Sequence, residues 1–299
     1  MHGVYTALIT PFGSDGQIDL PAFKALLKDQ MDAGITGVIP CGTTGEAPTL
    51  LTEEKKLLIE TAIDVLKGSA LKVIAGTGSN NTAESIALSK WASDRGAAAV
   101  LIVTPYFNKP SQDGLKLHFN AIADSINCEL ILYNVPGRTG ISLTAATVKD
   151  LSQNPKINTL KEATGNVAFT SEILDTVATA GSKIDILSGD DATYMPLMAV
   201  GAEGIISVAS NLIPRAMVQL QKEMQARNLK GALELHKKWY PLFRDLFVES
   251  NPVPIKAAMA LAGFCNEKVR APLSNLSQQS RSTLFETLKR YNLQKGTRL

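Results

Sequence analysis

The amino-acid sequence predicts an α/β protein, a (β/α)₈ barrel with a C-terminal helical appendage, on three observations. Short apolar runs alternate eight times with longer segments of helical period between residues 4 and 225. The runs are near-continuously apolar, as expected of parallel strands covered on both faces. Beyond about residue 225 the strand signals cease and only helical periodicity continues. An open doubly wound sheet is the competing architecture. It would want about six strands and a glycine fingerprint after the first, where this chain has Thr10-Pro11-Phe12-Gly13.

In order, the first strand is expected at Val4 to Ile9, with a helix from Leu20 to Ala33 that carries Pro21 in its first turn. Gly37 to Pro40 is the second strand, before a helix opening at Thr52-Glu53-Glu54-Lys55. Lys72 to Ala75 is the third, and its helix starts near Thr82. Ala98 to Val103 is the fourth, followed by Gln112 to Ser125. Leu130 to Tyr133 is the fifth, followed by Thr144 to Leu151. Ile157 to Lys161 is the sixth, ending at the turn Thr164-Gly165-Asn166 before Phe169 to Ala180. Ile184 to Leu187 and Ile205 to Val208 are the last two, with helices near Tyr194 to Ala199 and Pro214 to Glu223. Leu229 to Phe247, Val253 to Gly263 and Ser277 to Tyr291 read as helices, Asn251-Pro252 breaking the first pair. The expected division is a barrel over 1–225 and a helical region over 226–299.

Composition narrows the function. At 299 residues and 45% hydrophobic the chain can bury a large core. Its 30 basic and 28 acidic residues are interspersed, leaving a net charge of +2, which argues against a nucleic-acid partner. No apolar stretch reaches the ~20 residues of a membrane span. The first residues show neither a basic n-region nor a cleavage site, so a cytoplasmic location is expected. Cys41, Cys128 and Cys265 are odd in number and far apart, and His2, His118 and His236 lack ligand spacing; no disulfide framework, metal or cofactor is expected.

In a barrel the chemistry sits at the C-terminal strand ends. There the sequence places Thr43 and Thr44 within Cys41-Gly42-Thr43-Thr44-Gly45-Glu46, Tyr133 and then Arg138, Lys161, Ser188-Gly189-Asp190-Asp191, and Ile206-Ser207. Lys161 ends a buried run, and lysine is rarely buried unless paired. Desolvation favours the neutral amine, the form that attacks a carbonyl to make a Schiff base. Taken alone, the simpler reading is a lysine that snorkels to the rim and pairs with a carboxylate. Similarly, Thr43 and Thr44 alone read as a tight turn, Tyr133 as a core aromatic, Arg138 as an exposed loop charge and Cys41 as a buried thiol with no histidine to activate it. Asp190-Asp191 fits a helix cap better than a metal pair. The coincidence of an amine, a phenol, two threonines and a guanidinium at strand ends favours a catalytic Lys161.

At these residues the chain resembles the dihydrodipicolinate synthase/N-acetylneuraminate lyase family. The resemblance runs through Thr6-Ala7-Leu8-Ile9-Thr10-Pro11-Phe12, Gly42-Thr43-Thr44-Gly45-Glu46, Ala75-Gly76-Thr77-Gly78, Tyr133-Asn134-Val135-Pro136, Arg138-Thr139-Gly140, Lys161-Glu162-Ala163-Thr164-Gly165, Ser188-Gly189-Asp190-Asp191 and Asn251-Pro252-Val253-Pro254-Ile255-Lys256. It implies an imine between Lys161 and pyruvate, attack of the derived enamine on aspartate semialdehyde, and cyclisation to 4-hydroxy-tetrahydrodipicolinate. It further implies proton transfer by Tyr133 held by Thr43, a pyruvate carboxylate held by Thr44, the second substrate's carboxylate held by Arg138, a pocket closed by Ile206, and a homotetramer built as a dimer of dimers. A related aldolase acting on a sugar acid or sialic acid, or a barrel without catalysis acting as a sensor, are the alternatives. Two departures stand out. Most relatives follow Tyr106 with a second tyrosine that completes a proton relay across a subunit interface, and this chain has Phe107. Relatives inhibited by lysine often have histidine where this chain has Lys55, although Asn80 and Glu84 match; weak lysine inhibition is the implication.

Overall fold

A computed structural model describes residues 1–293. In chain order its elements are β1 (Gly3–Ala7), α1 (Leu20–Asp32), β2 (Gly37–Ile39), α2 (Thr52–Val65), β3 (Lys72–Gly76), α3 (Thr82–Asp94), β4 (Ala99–Val103), α4 (Gln112–Asp124), β5 (Glu129–Asn134), α5 (Pro136–Thr139), α6 (Ala145–Leu151), β6 (Thr159–Glu162), α7 (Val167–Thr179), β7 (Asp185–Ser188), α8 (Tyr194–Ala199) and β8 (Gly204–Ser207). Four further helices follow: α9 (Pro214–Gln225), α10 (Leu229–Asp245), α11 (Val253–Leu261) and α12 (Gln278–Arg290). The strands are parallel and follow one another in sequence order around a closed barrel, as the alternation predicts. Boundaries move by one or two residues at most strands. The last strand residue of β6 is Glu162, so Lys161 lies inside the ladder and not at its end.

Contacts divide the chain into two compact units, Met1–Gly3 with Lys72–Ile206, and Val4–Leu71 with the chain from Ser207 onward. The first unit carries β3 to β8. Its strands β4, β6 and β8 are buried almost throughout, which accounts for the unbroken apolar composition of β4 (AVLIV), whereas β6 (TLKE) buries polar side chains as well. Four of its helices start where a short polar side chain satisfies a free N–H group of the first turn. Asn81 caps α3, Ser111 caps α4, Thr144 caps α6 and Asn166 caps α7. Each cap of this kind contributes about 1 kcal/mol.

The expected cap at Asp190-Asp191 is not found. Helix α8 begins at Tyr194, and its N-cap residue is Thr193, which makes no side-chain cap bond. Asp190 instead accepts from the Ala192 N–H at 2.9 Å and from the Thr193 hydroxyl at 3.2 Å, closing a short turn before the helix.

The second unit pairs β1 with β2, Tyr5 opposite Gly37 and Ala7 opposite Ile39. Phe12, Phe23, Leu27, Leu58 and Phe243 are fully or almost fully buried and supply the bulk of its core. Asp19 caps α1 through the Ala22 N–H, with Pro21 in the first turn where the sequence places it. Asn228 caps α10 through the Gly231 N–H. Among the described residues no helix is long and apolar enough to cross a membrane.

Candidate active site

In the first unit, parallel pairing of β5 with β6 sets Tyr133 opposite Lys161 and Asn134 opposite Glu162. Successive strand residues alternate faces, so this register makes two separate pairs. On one face the Lys161 Nζ lies 4.1 Å from the centroid of the Tyr133 ring, with both side chains buried and Lys161 only 5% exposed. On the other, the Asn134 Nδ2 donates to Glu162 Oε2 at 2.9 Å, and Glu162 also accepts from the Thr164 N–H. Burial pushes the Glu162 carboxyl above the usual carboxylate value, and the bonds from Thr164 and Asn134 oppose that shift.

This arrangement bears on the reading of Lys161 as a rim lysine paired with a carboxylate. Among the described residues no carboxylate lies within 4.0 Å of its amine, and the adjacent Glu162 is engaged on the opposite face. The lysine is therefore neither at the rim nor ion-paired. Beside it, Gly189 leaves the space that the amine stem uses: a Cβ there would lie 2.6 Å from Ala163 Cβ and 3.1 Å from Lys161 Cε. Glycine at this strand end has a packing reason that needs no left-handed backbone.

Asn134 extends the network into the following loop. Its Oδ1 accepts from the Leu143 N–H at 3.0 Å, and its Nδ2 reaches Ser142 Oγ at 3.2 Å. The intervening residues include α5, a single turn with Pro136 at its start and Gly140 in left-handed backbone at its end. Arg138 sits on this turn and is exposed. Ile206, on β8, is fully buried.

Thr43 and Thr44 belong to the second unit, in the turn after β2. The turn is closed by the Gly45 N–H on Gly42 O and the Glu46 N–H on Thr43 O, both 3.1 Å. Thr10 Oγ1 donates to Gly45 O at 2.7 Å. A Cβ on Gly45 would approach Leu8 O, Cys41 N and Thr10 Oγ1 within 3.1–3.3 Å, so a side chain here would press on the segment that follows β1. Thr43 is half-buried and Thr44 buried, the latter accepting at Oγ1 from Asn251 Nδ2 at 3.0 Å. Cys41 is an inert thiol: burial raises it to about 12, and its Sγ donates to Lys55 O.

Three features here have no counterpart in the sequence reading. Glu162, Asn251 and the fully buried pair Lys256–Glu46, 2.6 Å apart, are all polar groups inside segments that read as apolar or as turns. A signal for the pair was available: Lys256 is the lone charge in the otherwise apolar helix Val253–Leu261, so it has no polar face on which to lie.

Comparison with known proteins then places the chain. The model of the dihydrodipicolinate synthetase family matches residues 1–291. The chain belongs to this family. A 4-hydroxy-tetrahydrodipicolinate synthase of Leptospira biflexa is 44% identical over 291 residues, covering 96% of each chain. Among solved structures, dihydrodipicolinate synthase from Aquifex aeolicus superposes with a TM-score of 0.95 at 39% identity, covering 99% of this chain and 100% of that one. The Acinetobacter baumannii dihydrodipicolinate synthase, solved in complex with pyruvate, has a TM-score of 0.94 at 40% identity, covering 98% of this chain and 99% of its own. The (β/α)₈ fold and the C-terminal helices are thus those of the family.

The loop after β4 displays one aromatic ring openly. Phe107 is 89% exposed and has φ +72°, in the left-handed region that a bulky side chain rarely occupies. The loop around it is held by Asn80 Nδ2 on Tyr106 O at 3.2 Å and Asn108 Nδ2 on Asn80 O at 2.9 Å.

Proposed function

We propose that this chain condenses pyruvate with L-aspartate 4-semialdehyde to give 4-hydroxy-tetrahydrodipicolinate, a step of diaminopimelate and lysine biosynthesis. The carrying observation is the buried Lys161 amine, unpaired by any carboxylate and set against Tyr133, in a chain whose relatives are named for this synthase. The amine adds to the ketone carbon of pyruvate and the adduct loses water to form a protonated imine. Loss of a methyl proton gives an enamine, the imine nitrogen taking up the electron pair. The enamine carbon attacks the aldehyde, whose oxygen is protonated. The amino group of the second substrate then adds to the imine carbon, closing the ring and expelling the lysine.

Tyr133 is assigned the proton transfers to and from these intermediates, since its ring lies against the amine that changes charge. Thr43 is assigned the same proton path, and Thr44 the pyruvate carboxylate. Arg138 offers a planar fork suited to the carboxylate of the second substrate. Ile206 is assigned one apolar wall of the pyruvate pocket. Trapping with pyruvate and borohydride followed by intact mass and peptide mapping tests the scheme. A single pyruvate-sized adduct at Lys161 is expected, and an adduct elsewhere, or none, would remove it. Turnover with aspartate semialdehyde compared with sugar aldehydes tests the second substrate.

The exposed Phe107, held out on left-handed backbone, supports a contact of this loop with a second copy, and the homotetramer itself is what the family resemblance implies. Without the relay hydroxyl, Phe107→Tyr is expected to raise kcat by about 2- to 10-fold, below the ~10² to 10⁴ of a direct acid–base group. Steady-state turnover of the purified variant checks this, and an unchanged kcat counts against a relay. Lysine should inhibit weakly, since Lys55 puts a second ammonium where relatives often carry histidine. An inhibition constant in the sub-millimolar range would contradict that assignment.

A further inference from the structure

The turn bearing Thr43 and Thr44 is joined at two points to the segment entering α11, and both joints are buried. Asn251 Nδ2 donates to Thr44 Oγ1 at 3.0 Å. Five residues on, Lys256 Nζ donates to Glu46 Oε1 at 2.6 Å, two residues after Thr44. Glu46 occupies left-handed backbone at φ +56°, a conformation that persists only where the surroundings hold it. Its second carboxylate oxygen accepts from the Arg270 N–H at 2.9 Å, so both oxygens are engaged. The Arg270 guanidinium in turn makes a two-point pair with Glu54 at 2.6 and 2.7 Å and donates to Thr49 O at 3.0 Å. The turn is therefore fixed from three sides by residues far away in sequence.

The first joint has a chemical consequence. A threonine hydroxyl carries one hydrogen and two acceptor sites. With one acceptor site filled by the Asn251 amide, the hydroxyl hydrogen must point elsewhere. We propose that Asn251 is a positioning residue that presents Thr44 as a hydrogen-bond donor to the pyruvate carboxylate, with the Glu46–Lys256 pair keeping the two segments in register. This rests on the assignment of Thr44 to that carboxylate.

The test is a double-mutant cycle read as the pyruvate concentration needed for half-maximal borohydride trapping, alongside KM and kcat. Asn251→Asp keeps the shape but replaces the donor with an acceptor that takes the Thr44 hydrogen and adds negative charge. Half-saturation is expected to rise about 10- to 100-fold, with kcat at saturating pyruvate changed much less. In a Thr44→Val background the same change should raise it by a clearly smaller factor, because the new carboxylate still repels pyruvate while the hydroxyl through which Asn251 acts is gone. If Thr44→Val alone leaves half-saturation unchanged, the assignment of Thr44 fails and this inference with it. If Thr44→Val raises it but Asn251→Asp does not, or acts equally in both backgrounds, only the inference fails. Should Asn251→Asp not fold, Asn251→Ser and Asn251→Ala replace it: serine retains a donor and should bind pyruvate more tightly, and equal half-saturation for the two overturns the proposal.

Discussion

Replacing Lys161 with alanine is expected to abolish the borohydride-trapped pyruvate adduct and to lower kcat by ~10⁴-fold or more, the scale on which removal of a covalent nucleophile acts. The geometry makes the loss this large. The amine is buried against Tyr133 with no carboxylate within 4.0 Å among the described residues, and no water or acid group can replace an amine in forming an imine. Lys161→Arg is the informative companion. It retains charge and much of the volume, but a guanidinium does not give up its proton in proteins and cannot form the imine. Both variants should be equally inactive while Arg retains near-native thermal stability. Residual trapping in either one would locate the nucleophile elsewhere.

The second large effect is on stability. Lys256→Met is expected to cost about 3–5 kcal/mol, because it leaves the Glu46 carboxylate buried with the Arg270 N–H but without its cation. Burial alone pulls the Lys256 ammonium below the usual lysine value, and Glu46 is what opposes that shift. The ammonium also lies 4.1 Å from the Phe12 ring centroid, with the Arg270 guanidinium carbon 4.4 Å from the same centroid. Urea unfolding measures the loss. The double variant Glu46→Met with Lys256→Met should recover much of it, since removing both charges removes the desolvation cost along with the attraction. By contrast Lys56→Ala, whose partner Glu53 is exposed, should cost less than about 1 kcal/mol. A similar cost for Lys56 and Lys256 would show that burial of the second pair contributes nothing.

Much of this architecture was legible because parallel strands covered on both faces have to be apolar, and helices between them have to begin at residues that can cap. Val100 to Ile102 and Leu130 to Leu132 read as buried strands for that reason, and Asn81, Ser111 and Asn166 mark the starts of their helices. The same alternation placed Tyr133 and Lys161 at the ends of consecutive strands, while their direct pairing across the ladder is seen only in the structure. Other features depend on contacts between residues far apart in sequence, which no local pattern encodes. Asn251 read as a break between helices, and its bond spans 207 residues to Thr44. Lys256 and Glu46 are 210 residues apart. The four-residue helix Pro136–Thr139 is too short for periodicity to reveal, and the carboxylate of Asp190 serves a turn because α8 starts later than a cap there would require.

The pairing of Tyr133 directly across the ladder from Lys161 bears on how such an enzyme diversifies. Neighbouring strands lie about 4.8 Å apart, a spacing set by backbone hydrogen bonds and independent of which side chains they carry. The distance between phenol and amine is thus metered by the sheet, whereas Arg138 rides on a connecting segment tied down by Asn134 and Ser142. On the roles proposed for Lys161, Tyr133 and Arg138, insertions or exchanges in that segment would retune which aldehyde is accepted while the amine and phenol keep their separation. Selectivity and covalent chemistry would then be inherited through different parts of the chain, each free to drift at its own rate.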